Sequence, residues 1–385
     1  MRKALTYILA LMLMACSSSS EEPKSPQEEE QQQPMLSLYV YAPEHPMLTR
    51  GNIGETTASE LESKVTRLQI WVFEHSNGEF VAYCEPTSTD NLNGAKGGDV
   101  YQVPISRDFA ARRPRVDVYV LANVTEANTG KVYNKETRLA ELRAARLDDN
   151  HFGSSPQTIE VPSDGLPMSG VLLNQPISGE TPILRIGTDY SEMATVRLVR
   201  MVSKMQFVFA ALTGSQVTIT GVSIDANQLA SVEYMFLNGP YTGRNYNIFS
   251  YVEDPVTLRS SELPFIVNEV ADPLEYIFVD GVEDAQDYED RINKAITATS
   301  GEKLSSMGPY YLHESDNRLT GKVSYKVGDG DVTTASFEMA EAGDFSRNHT
   351  WLVYAYYGDA VLQFNIVDVN GWTDKDAKNH DVYNW

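Results

Sequence analysis

Apolar residues recur at every second position over most of this chain, the period of strands that turn alternate side chains toward one core. Residues 36–42 (LSLYVYA) place Leu36, Leu38, Val40 and Ala42 on one face. Residues 65–73 (VTRLQIWVF) predict a second strand, and Ser76-Asn77-Gly78-Glu79 supplies the turn of a hairpin with residues 80–84. Residues 116–122 (VDVYVLA) read as a buried strand. A later set opens with one long strand at 196–210 (VRLVRMVSKMQFVFA) and continues at 216–225, 232–236, 276–278, 321–327, 332–339, 351–357 and 361–369. Asp329-Gly330 closes one hairpin in this set. Two stretches carry the helical period instead, 136–147 with Leu139 and Leu142, and 286–297 with Tyr288, Ile292 and Ile296. The pattern predicts an all-β chain of β-sandwich architecture with few short helices. Roughly 350 residues exceed one sandwich, which predicts two domains, 36–190 and 191–385.

The first residues follow a different rule. Met1-Arg2-Lys3 is basic, residues 4–15 are almost wholly apolar, and Leu13-Met14-Ala15-Cys16 looks like a lipobox. Residues 1–16 therefore read as a lipoprotein signal peptide, with Cys16 carrying the lipid. Residues 17–35, Ser-, Glu- and Gln-rich, read as a disordered tether. No other segment approaches the length of apolar chain that crosses a bilayer. The expectation is a protein at the outer membrane or cell surface, touching the membrane only through the precursor's lipid.

Charge and cysteine content narrow the picture further. The formal net charge of −22 argues against nucleic acid, whose binding needs a basic footprint. Two cysteines cannot build a disulfide framework, so the fold must rest on hydrophobic cores. With Cys16 given to lipid, Cys84 is expected as a buried thiol without a partner, not a reactive nucleophile.

Six local patterns, in order, resemble the fimbrillin family, the pilins of Bacteroidetes type V pili. They are Val118-Tyr-Val-Leu-Ala-Asn123, Leu166-Pro-Met-Ser-Gly170, Val196-Arg-Leu-Val-Arg-Met-Val-Ser-Lys-Met205, Gly308-Pro-Tyr-Tyr-Leu-His-Glu-Ser315, Arg347-Asn-His-Thr-Trp351 and Val367-Asp-Val-Asn-Gly-Trp372. Trp351 stands where Tyr is usual. The resemblance implies two transthyretin-like β-sandwich domains and a role in fimbriae. Read for themselves, Asn123, Pro167, Gly170 and Asn348 suit turns and strand ends, and Arg200 and Lys204 are expected as outward-facing strand charges.

The resemblance also implies an assembly scheme: a first strand completes the subunit's own sheet until an extracellular Arg-specific protease cuts after an Arg in the following loop. Leu36, Leu38 and Val40 form the removable strand, and Arg50-Gly51, in the loop-like run after Pro43, is the processing site. Its loss is expected to leave an open sheet edge and an apolar trench for another subunit's strand. Val382, Tyr383 and Trp385 are the candidate donor residues; alternatively, residues 373–385 form the last edge strand of the second domain.

Other chemistry finds little purchase. The six His show no metal-ligand spacing, and no nucleophile elbow, Walker loop or dinucleotide fingerprint occurs. The chain reads as a non-enzyme with no cofactor and no metal, although so many carboxylates leave an acid pair unsingled. The expected partners are other fimbrial subunits by strand exchange, the processing protease and a surface ligand. The competing reading is a glycan-binding surface lipoprotein of a polysaccharide-uptake system, stacking sugars on its Trp and Tyr rings. A surface hydrolase ranks last.

Overall fold

The computed structural model describes residues 33–42, 61–93, 97–148, 161–188, 193–236, 248–277, 285–299, 301–339 and 341–368. Among them the chain is all-β, four five-stranded sheets and one three-stranded sheet with a few short helices, as the alternation predicts.

Two sheets build the first sandwich. One runs Thr195–Arg197, Met35–Tyr41, Ile183–Ile186, Ile177–Glu180, with Gly98–Pro104 paired to the other side of Met35–Tyr41. The other runs Val199–Arg200, Met168–Gln175, Val116–Ala122, Leu68–Glu74, Phe80–Cys84. Their facing side chains share one core that includes Leu36, Leu38, Val40, Ile70, Val72, Val103, Val118, Val120 and Leu184. Leu68–Glu74 and Val116–Ala122 are buried at every position. The reason is a second cover: their outer residues Trp71, Phe73, Tyr119 and Leu121 pack on Leu142, Leu147, Met201, Val202, Met235, Phe236 and Tyr311. A strand covered on both faces keeps apolar residues on both, so alternation fades there.

The second sandwich repeats the plan. Glu269–Val270, Ser203–Leu212, Thr350–Gly358 and Val361–Asp368 form one sheet, with Ser305–Leu312 on the other side of Ser203–Leu212. Val256–Leu258, Val217–Ile224, Thr320–Val327 and Thr333–Glu338 form its partner, with Phe265–Ile266 also on Val217–Ile224. Ala285–Thr297 covers the outer face of the first of these, seating Ile292 and Ile296 on Val208, Leu352 and Tyr354. A three-stranded sheet, Ile248–Tyr251, Ala230–Tyr234 and Arg146–Asp148, draws a strand from each half of the sequence.

Several expectations need correction. The predicted helix over 136–147 is only Leu139–Arg143, because Arg146–Asp148 is taken into the bridging sheet. The predicted strand at 276–278 is a 3-10 turn, Pro273–Tyr276, begun by the Asp272 carboxylate, which accepts from Leu274 N at 2.9 Å, and by Pro273 at the first position; Phe278 lies outside the described residues. The single long strand at 196–210 is three strands in three sheets, Thr195–Arg197, Val199–Arg200 and Ser203–Leu212. Cys84 is buried as expected, but it is disulfide-bonded, not an unpaired thiol. Cys16, the chain's other cysteine, lies outside the described residues.

Candidate functional site

Met35–Tyr41 forms as a strand because its alternation meets a core on one side only: Leu36, Leu38, Val40 and Ala42 are fully buried. It lies inside its sheet, paired on both sides. It pairs antiparallel with Gly98–Pro104 along its whole length, Met35 opposite Pro104 and Tyr41 opposite Gly98. On its other side it runs parallel to two short strands in succession, residues 35–37 beside Ile183–Arg185 and residues 39–41 beside Thr195–Arg197. Backbone hydrogen bonds pin both ends: Met35 N donates to Pro182 O at 2.8 Å, Ile105 N to Pro34 O at 2.9 Å, Ala42 N to Gly97 O at 2.7 Å and Leu198 N to Tyr41 O at 2.8 Å.

Taking this strand away would therefore open a slot through the middle of a sheet. One wall would be Gly98–Pro104, the other Ile183–Ile186 with Thr195–Arg197, and the floor the apolar core. A strand entering that slot must run in the direction of the resident one to keep the pairing of both walls. Burial of Leu36, Leu38 and Val40 stabilises the seated strand by about 5 kcal/mol. Arg50 and Gly51, the expected processing pair, lie outside the described residues, as do Val382, Tyr383 and Trp385.

Residues 61–63 are anchored by buried charge. Glu62 is 2% exposed, and its carboxylate takes Lys204 Nζ at 2.8 Å and the Tyr311 hydroxyl at 2.6 Å. Arg200, fully buried, donates from Nε to Glu62 O at 3.0 Å, from Nη2 to Ser63 Oγ at 2.6 Å and from Nη1 to Asn348 Oδ1 at 3.1 Å. Arg200 and Lys204 are thus not the outward strand charges expected; they face inward because residues 61–63 bring them an acceptor set. Burial alone would raise the Glu62 carboxyl, but Lys204, Tyr311 and Arg200 outweigh it and hold it below its ordinary range.

A second buried group lies nearby. Arg347 donates from Nε to Glu314 Oε1 at 2.8 Å and from Nη1 and Nη2 to the Met235 and Tyr234 carbonyls at 3.0 and 2.8 Å. Glu233 stands 3.8 Å from Arg347 and 3.3 Å from His313. Burial works to raise the Glu233 carboxyl, yet His313 and Arg347 bring its net shift below the usual range.

Asn123 and Asn348 do serve strand ends, whereas Gly170 lies within the strand Met168–Gln175, opposite Val120. Asn123, at φ 57°, accepts from Thr66 N at 2.9 Å and donates to the Lys64 and Leu166 carbonyls at 2.6 and 2.8 Å. A Cβ on Gly170 would stand 2.7 Å from Arg197 O, so only glycine lets these strands approach. Trp71 and Trp351 are buried in cores and present no face to a sugar; Trp372 and Trp385 lie outside the described residues. Among the described residues no group of three or more His, Cys, Asp or Glu side chains could hold a metal, and no helix is long and apolar enough to cross a membrane.

Residues 47–188 match the family model described as Major fimbrial subunit protein (FimA), which bears out the resemblance to fimbrillins. No curated protein matches the chain. Among solved structures it is similar to the tip fimbrial protein Mfa3 from Porphyromonas gingivalis with C-terminal truncation, at 13% identity over 88% of this chain and 99% of that one, TM-score 0.49. It is also similar to a fimbrial assembly protein from Parabacteroides distasonis ATCC 8503, at 12% identity over 89% of this chain and 98% of that one, TM-score 0.47. At such scores these structures bear no functional weight.

Proposed function

We propose that this chain, a fimbrial-subunit protein by the match over residues 47–188, is a structural and adhesive subunit of type V fimbriae whose strand Met35–Tyr41 is a removable plug. The precursor reaches the cell surface as a lipoprotein through Cys16. An extracellular Arg-specific protease cuts between Arg50 and Gly51. The fragment carrying the lipid and the strand departs, and a strand from a neighbouring subunit enters the slot. Residues 36–190 and 191–385 act as the two domains of the mature subunit.

The observation that carries this reading is the seating of Met35–Tyr41. A strand paired on both sides and buried on its inner face is followed at once by the residues that hold the Arg50-Gly51 bond. One cut frees it, while Glu62 and Ser63, just beyond, stay tied to Arg200 and Lys204. The C-terminal residues Val382, Tyr383 and Trp385 are the candidate strand this subunit gives in turn.

Limited digestion of residues 17–385 with an Arg-specific protease, followed by N-terminal sequencing and a non-boiled gel, tests the proposal. A new terminus at Gly51 with a heat-sensitive ladder marks a polymerising stalk subunit; the same cut without a ladder marks a tip or accessory subunit. Resistance at Arg50, or loss of fold on cutting, overturns the reading.

A further inference from the structure

We infer that the slot selects its incoming strand on the outer face as well as the inner, requiring a small residue followed by two aromatic ones at the positions of Ser37, Tyr39 and Tyr41. This rests on the strand-exchange reading above.

The inner face is generic. Leu36, Leu38 and Val40 meet a broad aliphatic core, and such cores accept any side chain of about the right volume. The outer face is shaped. A Cβ on Gly98 would lie 2.1 Å from Tyr39 Oη and 2.5 Å from its Cζ, so the phenol ring fills the space a side chain at position 98 would take. Gly97, at φ +61°, lies under the second ring; a Cβ there would stand 3.5 Å from Tyr41 Cε2. Tyr41 is in register with Gly98 on one side and Arg197 on the other, and the Arg197 guanidinium carbon lies 5.7 Å from its ring centre. The third outer position is closed: Ser37 is 2% exposed between Gln102 and Arg185 in register.

Successive glycines weaken a strand, and an aromatic side chain laid over them from the neighbouring strand restores cover. Removal of Tyr39 and Tyr41 would strip the Gly97-Gly98 shelf and leave Arg197 without its ring. A replacing strand regains that cover only with aromatics two residues apart, in register with an inner apolar row. Gly98 reads the first ring by steric fit and Arg197 the second by charge; both are specificity-determining residues.

The test uses the full chain with a site-specific protease sequence installed between residues 43 and 60, so that cutting does not depend on Arg50. The cut chain is incubated with labelled peptide of residues 35–42, or with the same peptide bearing Tyr39→Ser and Tyr41→Ser, and uptake is followed by native mass spectrometry. Uptake of the aromatic peptide at least tenfold above the serine peptide supports the inference. Gly98→Val in the chain should cut the aromatic peptide's uptake and spare the Tyr39→Ser peptide. Arg197→Ala, a milder change, should erase the preference at position 41 alone. Equal uptake of both peptides by the unaltered chain overturns the inference and leaves strand exchange standing; uptake of neither overturns both.

Discussion

Lys204 Nζ lies 2.8 Å from Glu62 Oε1, an ion pair that ties residues 61–63 to the first strand of the second sandwich. Glu62 is buried and Lys204 largely covered, so removing the lysine leaves a buried carboxylate short of its ion-pair partner. Lys204→Met is expected to cost about 3 kcal/mol in denaturant unfolding. Lys204→Met with Glu62→Gln should cost less than the two single changes summed, the sign of a direct coupling.

Acid should act through the same carboxylate. A carboxyl whose folded value lies below its ordinary 4.5 contributes stability above that value and loses it as pH falls through the folded one. Unfolding free energy should therefore fall below about pH 4.5, and less steeply in Glu62→Gln. Glu233, shifted the same way, adds to that limb.

Asp316 carries the opposite sign. Burial, then the Glu314 and Glu233 charges, push it up to about 6, although Tyr251 donates to it at 3.3 Å. Ionisation is thus disfavoured in the folded state, and the group weakens the fold as pH rises through about 6. Asp316→Asn should stabilise the protein by about 1 kcal/mol at pH 8, given partial solvent screening, with the gain gone near pH 4. A pH series of melting temperatures checks this.

Gly170→Ala should destabilise by about 2 kcal/mol, since the added Cβ meets backbone at Arg197 O and a strand must shift. The strand displaced, Thr195–Arg197, is one wall of the slot. Amide hydrogen exchange in residues 195–197 should rise in the variant.

Export leaves a chemical choice at sulfur. Cys16 can bear a lipid or join Cys84 in a disulfide, not both, and the chain has no third cysteine. Intact mass of the membrane-extracted precursor before and after thiol alkylation reads the outcome. The diacylated mass supports the lipoprotein reading; an unlipidated mass that gains two alkyl groups only after reduction overturns it.

Much of the fold is written in local alternation. Leu36, Leu38 and Val40 announce their face because one side of their strand meets the core. The hairpin at Asn77-Gly78 is legible because φ 71° at Gly78 and the Asn77 side chain accepting from Glu79 N make the turn locally. What is not local is not legible. The central place of Met35–Tyr41 depends on pairing with residues 98–104 and 183–197, far along the chain. Arg200 and Lys204 read as exposed because their acceptors, on Glu62, Ser63 and Asn348, arrive from distant segments. The only hint lay in the polar residues breaking the apolar run at 196–210.

The central claim is that one slot holds the resident strand and then its replacement. Ser37→Cys with Gln102→Cys joins facing residues on the outer side, at a spacing suited to a disulfide. The chain is cut after Arg50, offered labelled peptide of residues 35–42, and weighed by native mass spectrometry under oxidising and reducing conditions. The expected result is that the oxidised chain keeps its own strand and takes up no peptide, while the reduced chain exchanges. Equal uptake by both forms would contradict the account, because the peptide would then be binding somewhere other than the slot.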